Sequence, residues 1–233
     1  MPQSLYRIVF DKIIERIVDG TYPPGSMLPS EIDLGAELGV SQGTARKSLI
    51  DLEQKGIVER RQGRGTFVTL RTPENSLFHF FRLRDEDGIQ VVPTLAEEAV
   101  TKRSATPEER ASLSGNPTEV VEIERVRHFR NRPLCLEKSV VSAALFPGLQ
   151  ERCPLPNTLY VLFQQAYACV IISAEDNLSA GLLDPEYSAR LDTAPSTPVI
   201  IADRKSYDLL NRVVELRKSV FVTENVTYSV KMD

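Results

Sequence analysis

A three-residue corner, Gly39-Val40-Ser41, stands between two segments that each have room for a short helix, and it restricts the fold of the first 70 residues more than any other feature. Glycine tolerates the left-handed backbone that ends a helix, and serine accepts from the free N–H groups that begin the next. Upstream, Pro29-Ser30-Glu31 supplies an N-cap and a first-turn acid for a helix of about two turns ending at Gly39. Downstream, Ala45, Leu49 and Leu52 fall at i, i+4, i+7 and face inward, which leaves Gln42, Gly43, Thr44, Arg46 and Lys47 on the outward N-terminal half. A first helix precedes this pair: Leu5, Ile8, Val9, Ile13 and Ile17 repeat at helical spacing, Phe10, Ile14 and Val18 widen the stripe, and Asp19-Gly20 followed by Tyr22-Pro23-Pro24-Gly25 stops it. After Lys55-Gly56, residues 57–61 and 66–70 read as two short strands around the tip Gln62-Gly63-Arg64-Gly65. Helix, helix-turn-helix and β-hairpin in that order make a winged helix-turn-helix.

Charge alone does not assign this unit a partner, because residues 1–70 hold nine basic and nine acidic side chains and the rest of the chain carries the whole net charge of -4. Placement does. Arg46 and Lys47 sit on the exposed face of the third helix, and Arg60, Arg61 and Arg64 surround the hairpin tip. Ser41, Gln42, Thr44 and Arg46 are the residue types that read base edges or donate to phosphates from a helix lodged in the major groove. Gly63-Arg64-Gly65 puts one cation between glycines that allow close backbone approach, as a minor-groove or phosphate contact requires. The same glycines do not make a nucleotide-phosphate loop, since no Gly-Lys-Ser/Thr tail and no strand-to-helix step follows. A solvated helix face and an ordinary turn with an exposed Arg are the alternatives.

Residues 71–88 read as a connector, with a polar, proline-broken start at 71–76, a charged turn at 84–88 and an apolar stretch at 77–83 that docks. From 89 onward strand-like runs dominate: 91–92, 120–129, 134–141, 169–174, 199–207, 213–222 and 226–230, with helix candidates at 107–113, 158–167 and 185–191. The chain is therefore α+β, with a second domain over 89–233, beginning as early as 77, built on a largely antiparallel sheet.

Several classes fall away. No run approaches the ~18 apolar residues of a membrane span, and the N-terminus lacks the layout of a signal peptide, so we expect a cytoplasmic protein with no membrane partner. Cys135, Cys153 and Cys169 are scattered and odd in number, and read as reduced core thiols. His79 and His128 stand apart without ligand-spaced neighbours, so neither a metal site nor a hydrolase triad is expected, and no cofactor.

Taken together, Leu5-Tyr6-Arg7-Ile8, Gly20-Thr21-Tyr22-Pro23-Pro24-Gly25-Ser26-Met27-Leu28-Pro29-Ser30-Glu31, Gly39-Val40-Ser41, Thr44-Ala45-Arg46-Lys47-Ser48-Leu49 and Arg60-Arg61-Gln62-Gly63-Arg64-Gly65-Thr66-Phe67-Val68 resemble the DNA-binding domain of the GntR family of bacterial transcription regulators. The resemblance implies contacts to double-stranded DNA from Ser30, Glu31, Ser41, Gln42, Gly43, Thr44, Arg46, Lys47, Arg61, Gly63, Arg64 and Gly65. Where the family often has Arg after the capping Ser, this chain has Gln42, which shifts base preference from guanine toward adenine. Ala45 also departs from the small β-branched residue often found before the helix Arg.

The second domain resembles the UTRA effector-binding domain of the HutC-like branch, with a chorismate-lyase-like fold. Its marks are Glu124-Arg125-Val126-Arg127, Arg132-Pro133-Leu134-Cys135-Leu136-Glu137-Lys138-Ser139, Phe146-Pro147-Gly148-Leu149, Leu159-Tyr160 and Val213-Val214-Glu215. Spacing alone puts Arg125 and Arg127 on one strand face, where both guanidinium groups can converge on one anion. The resemblance implies Glu137 and Glu215 across the pocket, and Tyr228 near it. Relatives that take sugar phosphates supply hydroxyls from the segment entering this domain; here it reads Phe78-His79-Phe80-Phe81, which suits a small carboxylate with an apolar or aromatic body equally well.

The expectation is a homodimeric repressor on a pseudo-palindromic operator, tuned by a small anionic metabolite. A lyase-like enzyme is the competing reading, with Arg125, Arg127 and Glu137 binding and protonating a carboxylate. The missing nucleophile–base pair and the attached DNA reader weigh against it. An all-helical metal-containing sensor, found in other branches, needs more histidines than His79 and His128.

Overall fold

A computed structural model describes residues 4–72 and 81–230. Helix α1 (Leu5–Val18) packs on α3 (Gln42–Gln54) through Val9, Phe10, Ile13, Ile14 and Ile17. Leu5 and Ile8, counted in the apolar stripe from spacing, lie outside at 59% and 48% exposure, because the face α1 turns to α3 is the one centred on Ile13. Helix α2 (Glu31–Leu38) starts where the Ser30 hydroxyl accepts from the Asp33 N–H at 3.2 Å and ends at Gly39, whose φ of +66° is left-handed. Ser41 begins α3 in the same way, accepting from the Thr44 N–H at 3.2 Å, and Ala45, Leu49 and Leu52 are buried as their spacing requires. Strands β1 (Val58–Arg61) and β2 (Gly65–Val68) pair antiparallel from Arg61 opposite Gly65, and Met27 bridges to Phe67 on the free side of β2.

Beyond residue 80 a short strand β3 (Leu83–Asp85) leads to β4 (Thr94–Ser104), helix α4 (Pro107–Ser112), β5 (Glu119–Phe129) and β6 (Arg132–Ser142). A 3₁₀ turn (Leu149–Arg152), α5 (Leu159–Tyr167), β7 (Ile171–Leu182), α6 (Pro185–Ser188), β8 (Pro198–Asp208), β9 (Val213–Val222) and β10 (Val226–Tyr228) complete the order. Six strands form one antiparallel sheet, β4-β5-β6-β9-β8-β7, and β10 pairs with β3 apart from it. One face is covered by α5 and the segment before it, which pack Phe146, Leu149, Leu155, Leu159 and Phe163 on Val121, Ile123 and Val141. The opposite face buries Val126, Leu136, Val199 and Val220 under Leu183 and Leu191.

The two ends of the sheet differ most from expectation. The sequence gives no strand at 94–104 and stops one at 174, yet β4 and β7 are both long. Each is an edge strand, exposed along most of its length, so its residues lack the apolar alternation that marks a half-buried strand. Val91 is a buried loop residue, the helix expected at 185–191 closes after Ser188, and the last strand ends at Tyr228. Cys135 and Cys169 are core thiols, and burial pushes the latter up to about 12. Cys153 is exposed, because it sits in the turn-rich segment before α5. The segment 73–80, with His79, lies outside the described residues.

The winged unit is seated on the sheet domain. Val170 and Leu209 join its apolar core, with Ile172 packed alongside. Gln164 of α5 ties down the chain leaving β2: its Oε1 accepts from the Arg71 N–H at 2.8 Å and its Nε2 donates to the Thr69 carbonyl at 3.2 Å.

Candidate nucleic-acid interface and effector cavity

On the winged unit, Ser30, Ser41, Gln42, Gly43, Arg46 and Lys47 are exposed, with Glu31 and Thr44 half-buried beside them. Glu31, at the start of α2, is the hub. Its carboxylate lies 3.5 Å from the Gln42 amide, 3.4 Å from Arg60 and 4.0 Å from Arg46, so one acid braces the reading helix and the wing together. Arg60 also meets Glu53 at 3.3 Å. Arg61 pairs with Glu59 and lies over the Phe67 ring at 4.3 Å, while the Lys47 ammonium sits 4.3 Å from the Tyr6 ring centroid. Arg64, at the exposed tip between Gly63 (φ +70°) and Gly65 (φ +114°), has no ion pair among the described residues. Of the cations named from sequence, it and Lys47 have no ion pair among the described residues, and of the two only Lys47 lies over a ring.

Across the sheet face under α5 runs a stripe of charge to which every strand contributes. Glu98 of β4 is the register partner of Arg125 on β5, and Arg125 that of Glu137 on β6. On the other half, Arg217 of β9 faces Arg204 of β8, which faces Asp176 of β7. Arg127 and Glu215 complete four arginines and four carboxylates. Arg125, 2% exposed, gives Nε and Nη2 to Glu98 Oε2 at 2.8 and 2.6 Å. Arg204 forks onto both oxygens of Asp176 at 2.6 Å. Arg217 reaches Glu215 at 2.7 Å and Glu137 at 3.6 Å. Burial alone would raise the carboxyl groups of Glu137 and Glu215, but the adjacent guanidinium groups, Arg127 and Arg217 for the first and Arg217 for the second, hold both below the ordinary carboxylate range. Tyr160 donates to Glu215 at 2.6 Å, and burial pushes its hydroxyl up to about 12.

Between this stripe and α5 lies a cavity of about 40 Å³, lined by Phe81, Arg125, Arg127, Glu137, Asn157 to Tyr160, Arg204 and Arg217. It has room for ordered water and not for a metabolite. What closes it is the chain entering α5. The Asn157 carbonyl accepts from Arg125 at 3.4 Å and from Arg127 at 3.0 Å, its side-chain oxygen accepts from Arg127 at 2.6 Å, and the Pro156 carbonyl accepts from Arg125 at 3.1 Å. Arg127 Nε, buried and 3.1 Å from Glu137 Oε2, is not aligned to donate and has no hydrogen bond.

Of the residues named for an effector, Arg125, Arg127 and Glu137 line the cavity together. Glu215 stands behind it, fully buried, bonded to Tyr160, Ser206 and Arg217. Tyr228 donates to Asp176 at 2.6 Å and lines, with Glu137, Arg204 and Arg217, a second small cavity of about 20 Å³, as well as an open groove of about 430 Å³. Sequence reading passed over Glu98, Asn157, Arg204 and Arg217, and quoted Tyr160 as a mark of the resemblance without giving it a role in the site. Arg217 carried a signal, being two residues from Glu215 and so on the same strand face; Asn157 and Arg204 carried none, because a loop asparagine and an edge-side arginine look like solvated residues. No group of three or more His, Cys, Asp or Glu among the described residues is placed to hold a metal, and no described helix is long and apolar enough to cross a membrane.

Comparison with known proteins agrees with both halves. Residues 5–68 match the family of bacterial regulatory proteins named for gntR, and residues 98–227 match the UTRA domain. The chain is 27% identical over 239 residues to the mannosyl-D-glycerate transport/metabolism system repressor MngR of Escherichia coli K12, covering 98% of this chain and 95% of that one. It is 30% identical over 214 residues to the histidine utilization repressor of Pseudomonas putida, covering 88% and 83% respectively. The fold of PhnF from Mycobacterium smegmatis superposes with a TM-score of 0.58 at 23% identity, over 97% of this chain and 99% of that one. With a winged reader at one end and a UTRA sheet at the other, the chain belongs to the gntR family of bacterial regulatory proteins, as a ligand-responsive transcriptional repressor.

Proposed function

We propose that this repressor acts in the cytoplasm as a homodimer on a pseudo-palindromic operator, and that its effector is a small anion, a carboxylate or phosphate, taken up at the arginine cavity. The observation that carries the second part is the convergence of Arg125 and Arg127 on a single uncharged oxygen, the Asn157 carbonyl. The stripe's four carboxylates already neutralise its four arginines, so an incoming anion adds nothing by net charge. It gains by replacing neutral amide oxygens, which already accept from charged guanidinium donors, with a charged acceptor that can take a fork through two parallel bonds. Mannosyl-D-glycerate and histidine, the compounds in the names of two relatives, both carry a carboxylate, which supports this ligand class.

On the DNA side, Gln42 and Arg46 read bases, Ser41, Thr44 and Lys47 fix the helix on the backbone, and Arg61 and the 63–65 tip track the adjacent groove. Ser30 and Glu31 hold the entry to α2. The experiment is binding of the purified chain to duplexes tiled across its own upstream region, against a scrambled duplex, at two salt concentrations. Selective binding that survives ~0.15 M salt by a factor of ~10³ over the scramble supports the reading; equal, salt-erased binding everywhere removes it. Small carboxylates and phosphates are then tested for a change in operator affinity, and saturating operator must change their affinity by the same factor.

Two substitutions separate positioning from reading. Arg64→Ala is expected to weaken binding to every duplex and to lower the salt slope by about one, because a free tip cation contacts phosphate. Gln42→Ala is expected to relax preference at one base step by about 1–3 kcal/mol while leaving scrambled-duplex binding unchanged. A loss with Gln42→Ala that is uniform across sequences contradicts its reading role.

A further inference from the structure

The arginine cavity and the chain that leaves the DNA-binding unit are touched by one helix at points a turn apart. At the N-terminal end of α5, Asn157 closes the cavity, and Leu159 and Tyr160 form part of its wall. One turn further along the same helix face, Gln164, 3% exposed, holds both the Thr69 carbonyl and the Arg71 N–H. Arg71 is itself 4% exposed, and its guanidinium donates to the Ile171 carbonyl at 3.2 Å. Residues 69–71 are therefore fixed to the sheet domain by directed bonds whose other partner sits on α5 and at the start of β7. The remaining seat of the winged unit is apolar, through Val170 and Leu209, and is less selective of angle.

Resting on the reading of the cavity as the effector site, we propose that Gln164 is the positioning residue through which occupancy of that cavity reaches the winged unit. An anion that takes the Arg125 and Arg127 forks expels the Asn157 oxygens, moves the segment entering α5, and withdraws the Gln164 amide from residues 69–71. Three features support this course. The bonds to be exchanged are those with uncharged acceptors, since Glu98 and Glu137 keep their arginines. The side chain of Thr158, the residue before α5, makes no capping bond, so the helix start is held by the Asn157 and Pro156 oxygens on the two arginines, the Asn157 Nδ2 bond to the Pro93 carbonyl at 2.9 Å, the Leu155 N–H bond to Glu98 at 2.8 Å and the Tyr160 hydroxyl. Finally, α5 has nine residues, with Leu159, Tyr160 and Phe163 packed into the core, and so moves as a rigid body.

The test is amide hydrogen exchange on the full chain, with inorganic phosphate and D-glycerate as separate probes at constant ionic strength. Gln164→Met removes both bonds at similar volume, and without any anion it is expected to speed exchange of the Arg71 amide about tenfold. In the unmodified chain either anion is expected to speed exchange at 155–160 and at Arg71 with one common half-saturation. In Gln164→Met only 155–160 responds. Acceleration at 155–160 with no change at Arg71 in the unmodified chain overturns the coupling and leaves the effector site standing. No response at 155–160 to either anion overturns the site reading, and the coupling with it. An anion-free check uses Asn157→Ala, which loosens the same closure: it is expected to speed Arg71 exchange in the unmodified background and to add nothing in Gln164→Met, and full additivity overturns the proposal.

Discussion

Glu215→Ala is expected to lower stability by about 3 kcal/mol, because it leaves Arg217, whose side chain is only 12% exposed, with the more distant Glu137 as its counter-charge and frees the buried Tyr160 and Ser206 hydroxyls inside the sheet domain. For a chain of this length that corresponds to a fall in Tm of about 10 °C. Urea unfolding of Glu215→Ala beside Lys12→Ala checks it. Lys12 meets Glu15 at the surface of α1, 2.7 Å away, and a pair of that kind is worth under about 1 kcal/mol. A loss for Glu215→Ala no larger than the Lys12 control contradicts the description of the stripe as a closed network. The same carboxylates set a pH dependence. Glu137, Glu215 and Asp176 are all held below their ordinary values, so they bind protons more weakly folded than unfolded. Their contribution is complete above the ordinary carboxylate range and is lost as pH falls through it toward their folded values. Acid unfolding of the sheet domain is expected to begin below about pH 4.5, and Glu215→Gln is expected to flatten that limb.

The second large effect concerns the corner with which the sequence begins to be readable. Gly35 of α2 is buried, and a Cβ placed there meets the Val40 carbonyl at 2.9 Å and the Gln42 nitrogen at 3.4 Å. Both are backbone atoms that no rotamer change can move. Alanine favours a helix over glycine by about 1 kcal/mol, yet the contact reverses the sign, at about 1–3 kcal/mol of overpacking. Relief is possible only by pushing 40–42 away from α2, which tilts the start of α3 and carries Gln42, Thr44 and Arg46 with it. Gly35→Ala is expected to remain folded and to lose operator affinity by about 10²-fold, the equivalent of one to two base-pair contacts. Gly43→Ala is the internal comparison for stability: its Cβ finds Ser41 Oγ at 3.8 Å and nothing closer, so the helix gains. Equal operator affinity for Gly35→Ala and the parent chain contradicts the rigid-corner account.

The winged unit was legible because its elements are local. Caps at Ser30 and Ser41, the stop at Gly39 and the 3.6-residue spacing of Ala45, Leu49 and Leu52 each act within a few residues, and each is found where expected. Even there the spacing set of α1 included Leu5 and Ile8, since spacing identifies a stripe but not where the neighbouring helix ends. The sheet domain was legible in its four interior strands and not at its edges, β4 and β7, where exposure removes the pattern. Its cavity was half legible. Arg125 and Arg127 could be placed on one face by parity alone, but Glu98, Arg204 and Asn157 enter from elements 27 to 77 residues away, through strand order that spacing does not encode.

The stripe of charge also bears on how the sheet assembles. Strands β5, β6 and β9 carry apolar residues on both faces, so hydrophobic burial alone would tolerate several alignments of one against another. A one-residue misalignment would turn Arg125, Glu137 or Arg217 onto the opposite face, among Val126, Leu136 and Val220, without a counter-charge. A two-residue misalignment keeps the face but separates Glu98 from Arg125, or Arg204 from Asp176, by nearly 7 Å along the strand. The first error leaves an ion buried alone and the second re-pairs at most one of Arg125 and Arg127, so the row of charges works as a zipper key during folding, disfavouring misregistered sheets that apolar contacts by themselves would accept.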